Sequence, residues 1–223
     1  MRTLRTVFCL LLTALLLLSC TACGQSAAPT TTTASDAPED VPDAEPAKGE
    51  TEAQPEGIHG LHHVELEIRD YGTVILELDA DTAPITVQNF LDLAGSGFYD
   101  GLTFHRIMDG FMIQGGDPLG NGTGGSGTNI KGEFALNGWE NGISHQKGVV
   151  SMARARPYDS ASSQFFICVG DASFLDGQYA AFGWVTEGME IVEQIARDAR
   201  PVDNNGTIPA AEQPVIERVT VLD

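Results

Sequence analysis

His62-His63-Val64-Glu65-Leu66-Glu67-Ile68, then Asp70-Tyr71-Gly72, then Val74-Ile75-Leu76-Glu77-Leu78 alternates polar and apolar side chains on both sides of a turn. A period of two sends Val64, Leu66 and Ile68 to one face of a strand and their polar neighbours to the other. Asp-Tyr-Gly supplies turn chemistry, so residues 62–78 are expected to form a β-hairpin. Downstream, Asp81-Thr82-Ala83-Pro84 opens a helix, because proline suits an early helical position. Ile85, Phe90, Leu91 and Leu93 give that helix an apolar face, and Gly95 and Gly97 end it. Short apolar segments near 103–107, 111–114, 148–153, 165–169 and 181–185 read as further strands. A second helix is expected over 189–197, with Met189, Ile191, Val192 and Ile195 buried, and a last strand over 215–222. Many short strands with two helices predict a small barrel or sandwich of class β.

The rest of the 223 residues sets the context. Twelve Lys and Arg face 31 Asp and Glu, a net charge of −19. So acidic a surface repels phosphate backbones, which argues against nucleic-acid binding. Arg2 and Arg5 precede an apolar run from Val7 to Leu18, the layout of an export signal and too short to span a bilayer in comfort. Leu17-Leu18-Ser19-Cys20 resembles the lipobox of bacterial lipoproteins, so residues 1–19 are read as a lipoprotein signal peptide with Cys20 as the acylated residue. Cys23, preceded by Thr21-Ala22 and followed by Gly24, is the alternative. Residues 20–56 are rich in Ala, Thr and Pro, and carry eight acids and one Lys between Asp36 and Glu56. Such a stretch buries too little to offset its ordering entropy and is expected to be a disordered acidic tether. Residues 57–223 remain as one domain with 23 acids and 9 bases, a net −14. Cys168, inside the apolar run 165–169, is expected to be a buried small hydrophobe, with no disulfide framework.

Candidate chemistry concentrates in Phe104-His105-Arg106-Ile107-Met108-Asp109-Gly110-Phe111-Met112-Ile113-Gln114-Gly115-Gly116-Asp117, with Ser162-Ser163-Gln164-Phe165-Phe166-Ile167 and Phe174-Leu175-Asp176-Gly177-Gln178-Tyr179. Gly120-x-Gly122-x-x-Gly125 formally matches a dinucleotide fingerprint, but no strand–helix unit encloses it, and it reads as a flexible loop. No Gly-x-Ser-x-Gly elbow marks a serine hydrolase. His59, His62 and His63, ahead of the first strand, read as solvated strand-edge histidines.

From about Val64 to Leu222, in unbroken order, these segments resemble the cyclophilin family of peptidyl-prolyl isomerases. The resemblance implies a closed eight-stranded antiparallel barrel capped by two α-helices. It implies that Arg106 is catalytic and that Gln114 holds it in place. Phe111, Met112, Phe166 and Leu175 would form a proline pocket; Ala153, Arg154 and Ala155 would meet the substrate backbone. Gln164, Phe174 and Tyr179 would complete the rim, with Gly122 on a neighbouring loop. Phe174 stands where many members have Trp, Tyr179 where many have His, and Arg154 where many have Asn.

These residue types suit rotation about an X–Pro bond, which faces a barrier of about 20 kcal/mol because amide resonance must be broken. No bond is cleaved, so neither a nucleophile, a metal nor a cofactor is required. A permanently charged guanidinium can donate to the prolyl nitrogen, whose lone pair becomes available only as the amide twists. The expected partners are proline-containing segments of exported proteins, met at the extracytoplasmic side of a cell membrane by a lipid-anchored, monomeric isomerase. A module of the same fold that binds such segments without turning them over is the alternative.

Overall fold

In the computed structural model, residues 57–223 are described. The stretches read as signal peptide and tether, with both Cys20 and Cys23, lie outside them. The expected hairpin forms β1 (Leu61–Ile68) and β2 (Gly72–Asp79), paired antiparallel with Val64 opposite Leu76 and Leu66 opposite Val74. All four of these side chains are fully buried, as the alternation requires. Helix α1 (Pro84–Gly95) follows, then β3 (Phe104–Met108), β4 (Met112–Gly115), β5 (Val149–Met152) and β6 (Phe165–Cys168). Strand β7 (Ala181–Glu187) leads into helix α2 (Met189–Asp198), and β8 (Ile216–Val221) ends the domain.

The eight strands form one antiparallel sheet in the order β3-β4-β6-β5-β7-β2-β1-β8. It is an open half-barrel, which corrects the expectation of a closed barrel. The two end strands, β3 and β8, approach only where an isolated bridge joins Thr103 to Val215 just before them. Two features stop the ladder from continuing. Pro214 accepts from the Phe104 N–H but has no N–H to return. The outer edge of β3 is also already occupied: Ile107 N–H donates to Gly206, and Ile208 N–H to His105.

The main core lies between the curved sheet and the helices. Phe90 of α1 meets the rings of Tyr99, Phe165 and Phe182 at 4.9, 5.3 and 5.4 Å. Val192 and Ile195 bury the inner face of α2, while Met189 and Ile191 are half-buried against the core. Each large apolar side chain removed from water contributes about 2 kcal/mol. Helix α1 has no side-chain cap from its N-cap residue Ala83. The fully buried carboxylate of Glu133 instead accepts from the Ile85 and Thr86 N–H groups at 2.9 and 2.8 Å. A distant residue thereby satisfies donors that every helix N-terminus leaves open.

A second apolar cluster lies on the other face of β4, β6 and β5, containing Met112, Val149, Phe166 and Cys168. Burial pushes the Cys168 thiol up to about 12, so it packs as an inert apolar group. Beside it, His145 stacks its ring on Phe166 at 6.0 Å. Its Nδ1 lies 2.8 Å from Asp176 Oδ1 and its Nε2 3.0 Å from Ser151 Oγ. Burial lowers the His145 pKa despite the opposing pull of Asp176. Burial acts to raise Asp176, but donors from His145 and Ser144 outweigh it and leave its pKa lowered. Both shifts fit a neutral imidazole donating from Nδ1 to a carboxylate and accepting the Ser151 hydroxyl proton at Nε2.

Replacing Glu133 with Gln is expected to destabilise the domain by about 1.5–3 kcal/mol in denaturant unfolding, since a carboxamide presents one acceptor and one N–H to two donors. Acid should destabilise it as well. His145 and His105 both have folded-state pKa values below the ordinary 6.5, His105 through burial opposed by Asp117 and reinforced by Arg106. An unfolded chain binds those protons first, so their contribution is complete above about pH 6.5 and shrinks as pH falls through that value. His63, raised by its bonds to Asp223 and Glu77, acts in the opposite sense at an exposed, solvent-screened site. A thermal midpoint lower at about pH 5 than at pH 7, with a smaller drop in His145→Gln, is the expected outcome.

Candidate active site

The site begins with an irregularity in the β3–β4 ladder. Phe104 pairs with Gly115 and Arg106 with Gln114, so His105 is an extra residue on its strand. Such a bulge re-aims the side chains around it. Phe104 and Ile107 both enter the main core, while His105 and Arg106 both line a cavity on the opposite face. The close approach on the partner strand requires glycine: a Cβ at Gly115 would stand 2.9 Å from the Phe104 ring and from the Thr103 carbonyl.

Arg106 is held on two sides. Its Nε donates to the Asn205 carbonyl at 2.7 Å and its Nη1 to Gln114 Oε1 at 3.1 Å, while Nη2 lies 3.4 Å from Met108 Sδ. Gln114 Nε2 donates in turn to Gln164 Oε1 at 2.9 Å, and Gln164 Nε2 to the Gly124 carbonyl at 2.8 Å. Asp203 accepts from the Asn205 and Thr207 N–H groups, shaping the turn that presents the Asn205 carbonyl. Burial lowers the Arg106 pKa somewhat, opposed by Tyr179 and Asp203, and an arginine so placed stays protonated at any working pH. Among the described residues no carboxylate pairs with it; Nη1 also lies 4.0 Å from Met112 Sδ, and Nη2 keeps one N–H for a guest.

The cavity has a volume of about 490 Å³. It brings Arg106, Phe111, Met112, Gln114, Gly122, Ala153, Arg154, Phe166, Leu175 and Tyr179 together around one space. Ala155 and Gln164 line an adjoining cavity of about 470 Å³ that shares Gln114, Gly122, Ala153 and Arg154. Phe174 lines neither: it is 64% exposed and leans on Phe111 at 5.5 Å between ring centroids. Four further residues line the first cavity, His105, Asn121, Asn205 and Thr207. His105 adjoins the motif arginine, which is the signal that could have found it, whereas the others belong to loops with no periodicity to mark them. A larger cavity of about 680 Å³, between α1 and the Trp139 loop, contains none of the expected site residues.

The loop at 117–125, expected to be flexible, is tied down. The buried Asp117 carboxylate accepts from the N–H groups of Leu119, Asn121 and Gly122 at 2.8, 3.1 and 2.6 Å. Burial alone would raise Asp117, yet these backbone donors leave its pKa lowered. The loop thereby becomes a fixed wall bearing Gly122.

The cavity thus offers a braced cation beside an apolar cup. A family model for cyclophilin type peptidyl-prolyl cis-trans isomerases matches residues 63–221. A peptidyl-prolyl cis-trans isomerase of Helicobacter pylori is 46% identical over 126 residues, covering 56% of this chain and 74% of the relative. Peptidyl-prolyl cis-trans isomerase B of Bacillus subtilis is 44% identical over 129 residues, covering 58% and 87%. The crystal structure of a Cryptosporidium parvum cyclophilin type isomerase superposes with a TM-score of 0.62 at 29% identity, covering 74% of this chain and 99% of that one. A second structure of that isomerase, obtained in the presence of the dipeptide Ala-Pro, gives 0.61 at 30% identity, covering 72% and 99%. The family model covers nearly the whole domain, and the chain belongs to the cyclophilin-type peptidyl-prolyl cis–trans isomerases.

Proposed function

We propose that Arg106 is the catalytic residue of this isomerase and that proline-containing segments bind with the prolyl ring in the cup of Phe111, Met112, Phe166 and Leu175. The observation that carries this reading is the bracing of one uncompensated guanidinium by Asn205 and by the Gln114–Gln164 relay, directly beside that cup. An apolar cup grips the ring while the acyl side turns. As the amide leaves planarity, its nitrogen regains a lone pair, and an Arg106 N–H donates to it. That bond exists only near the top of the barrier, so it raises the rate rather than merely tightening binding. Gln114 and Gln164 act through Arg106 by fixing the direction of its fork. Ala153, Arg154 and Ala155 present backbone to the substrate chain, with Tyr179, Phe174 and Gly122 at the rim. The Cryptosporidium relative crystallised in the presence of Ala-Pro supports a ligand of this chemistry.

The same proposal includes a location. The lipobox-like Leu17-Leu18-Ser19-Cys20, with Cys23 as its alternative, and the acidic stretch behind it support a monomeric isomerase tethered by lipid at an extracytoplasmic membrane face. Its substrates there are exported chains, whose X–Pro bonds otherwise isomerise over tens of seconds.

Relaxation of a short Pro-containing peptide from cis to trans should be accelerated by the protein. Arg106→Ala should lower that acceleration about 10²–10³-fold, the range for removing one transition-state donor, while leaving the fold intact. Retention of full activity in that variant would remove Arg106 from the chemistry. The anchor is tested separately by the mass of the membrane-extracted protein. A chain starting at Cys20 and carrying acyl groups is expected; a start at Cys23 transfers the anchor to the alternative, and an unacylated chain rejects it.

A further inference from the structure

Arg154 occupies an odd environment for an arginine in a chain of net charge −19. Among the described residues it has no carboxylate partner. Its Nε and Nη2 both donate to the Gln178 carbonyl, at 3.0 and 2.8 Å. Nη1 donates to the Ala155 carbonyl at 3.0 Å and to that of Arg156 at 3.4 Å. The guanidinium carbon lies 4.6 Å from the ring centroid of Tyr179, 5.1 Å from that of Phe134 and 5.3 Å from that of Tyr158. The fork therefore joins two separate stretches of chain, one containing Ala153–Ala155 and one containing Leu175–Tyr179, both of which line the cavities. Tyr179 in turn meets Phe166 edge-on at 6.1 Å, on the floor of the cup. Meanwhile Arg154's own N–H and C=O make no hydrogen bond among the described residues, so its backbone is left for a guest while its side chain is fully engaged.

We propose that the Arg154 side chain is a positioning residue that sets the width of the substrate cleft, by clamping the 153–155 segment to the Gln178–Tyr179 segment across it. This rests on the reading that those two segments meet the substrate. Only a planar fork can grip the Gln178 carbonyl with two donors on one side and reach the Ala155 and Arg156 carbonyls on the other while stacking on rings; a lysine ammonium keeps the charge and the stem but is a point donor. The clamp touches neither the prolyl nitrogen nor Arg106. It governs how well the ground state and the twisted state are both held, which is uniform binding and appears in KM rather than kcat.

The test measures kcat and KM separately, well below the unfolding midpoint, for the wild type, Arg154→Lys, Arg154→Ala and the control Arg106→Ala. Both Arg154 variants are expected to raise KM about fivefold or more with kcat within about twofold, the signature of lost uniform binding. Lysine should fail to rescue, and it supplies the result where the alanine variant does not fold. A lowered thermal midpoint with KM unchanged would make Arg154 a stabilising residue only and overturn the proposal. So would a fall in kcat at constant KM, or a lysine variant with wild-type KM. Full activity in Arg106→Ala would instead overturn the catalytic reading, and the Arg154 proposal with it.

Discussion

The structure depends on a sheet whose β4, β6 and β5 strands are buried on both faces. Directly opposed residues in a ladder share a face, so Ile113, Ile167 and Val150 form one row and Gln114, Phe166 and Ser151 the next. The first row enters the main core and the second faces the cavity around Arg106 and its supporting cluster. A strand committed on one face to a close-packed core cannot slip its register, because a one-residue shift would drive Gln114 inward and Ile113 outward. Arg106 inherits that rigidity through its pairing with Gln114. The position of the guanidinium is therefore set by the hydrophobic core behind it.

Loops supply the remainder of the site, and carboxylates fix them, Asp117 from a buried position and Asp203 and Asp176 from exposed ones. Asp117 gathers three backbone N–H groups of the Gly122 loop, Asp203 shapes the turn that offers Asn205, and Asp176 grips His145 and Ser144 behind Leu175. Each is a carboxylate accepting several donors, an arrangement stronger than neutral hydrogen bonding. This also explains why so acidic a chain leaves Arg106 without a carboxylate partner. Nearby acids are already occupied with backbone, and a paired guanidinium would have its donors taken. Among the described residues that line this cavity, His105 is buried with neither ring nitrogen hydrogen-bonded.

Much of this was legible where periodicity operates. The alternation at 62–78 placed β1 and β2, Pro84 and Gly95 bracketed α1, and the apolar segments found β3 through β7 within one or two residues. The motif around Arg106 and Gln114 identified residues that do share one cavity. What escaped was long-range. Glu133 caps a helix that begins 49 residues earlier, His145 is wedged between Asp176 and Ser151, and nothing in local composition signals either. The closed barrel failed for a similar reason: whether β3 meets β8 is decided by Pro214 and by the 206–208 segment taking the β3 edge, a competition between distant pieces of chain. Gly120–Gly125 looked mobile by composition, and only the buried Asp117 reveals a loop held to a fixed shape.

The division between sheet and loops separates what this enzyme must keep from what it can vary. Arg106, Met112, Gln114 and Phe166 stand on strands, where any shift disturbs the core. Arg154, Phe174 and Tyr179, the positions that depart from the common family residues, all lie outside the strands. Phe174 sits mostly in solvent against Phe111, and Arg154 and Tyr179 stack on each other. Arg154 and Tyr179 also lean on buried rings, Phe134 and Phe166 respectively, so a change at either is felt at the edge of the core. Tyr179 offers a flat π-face where Arg154 offers a flat cation, and each makes sense of the other. The two side chains pack on each other at the rim, while the braced arginine behind them keeps its own partners, Asn205 and Gln114.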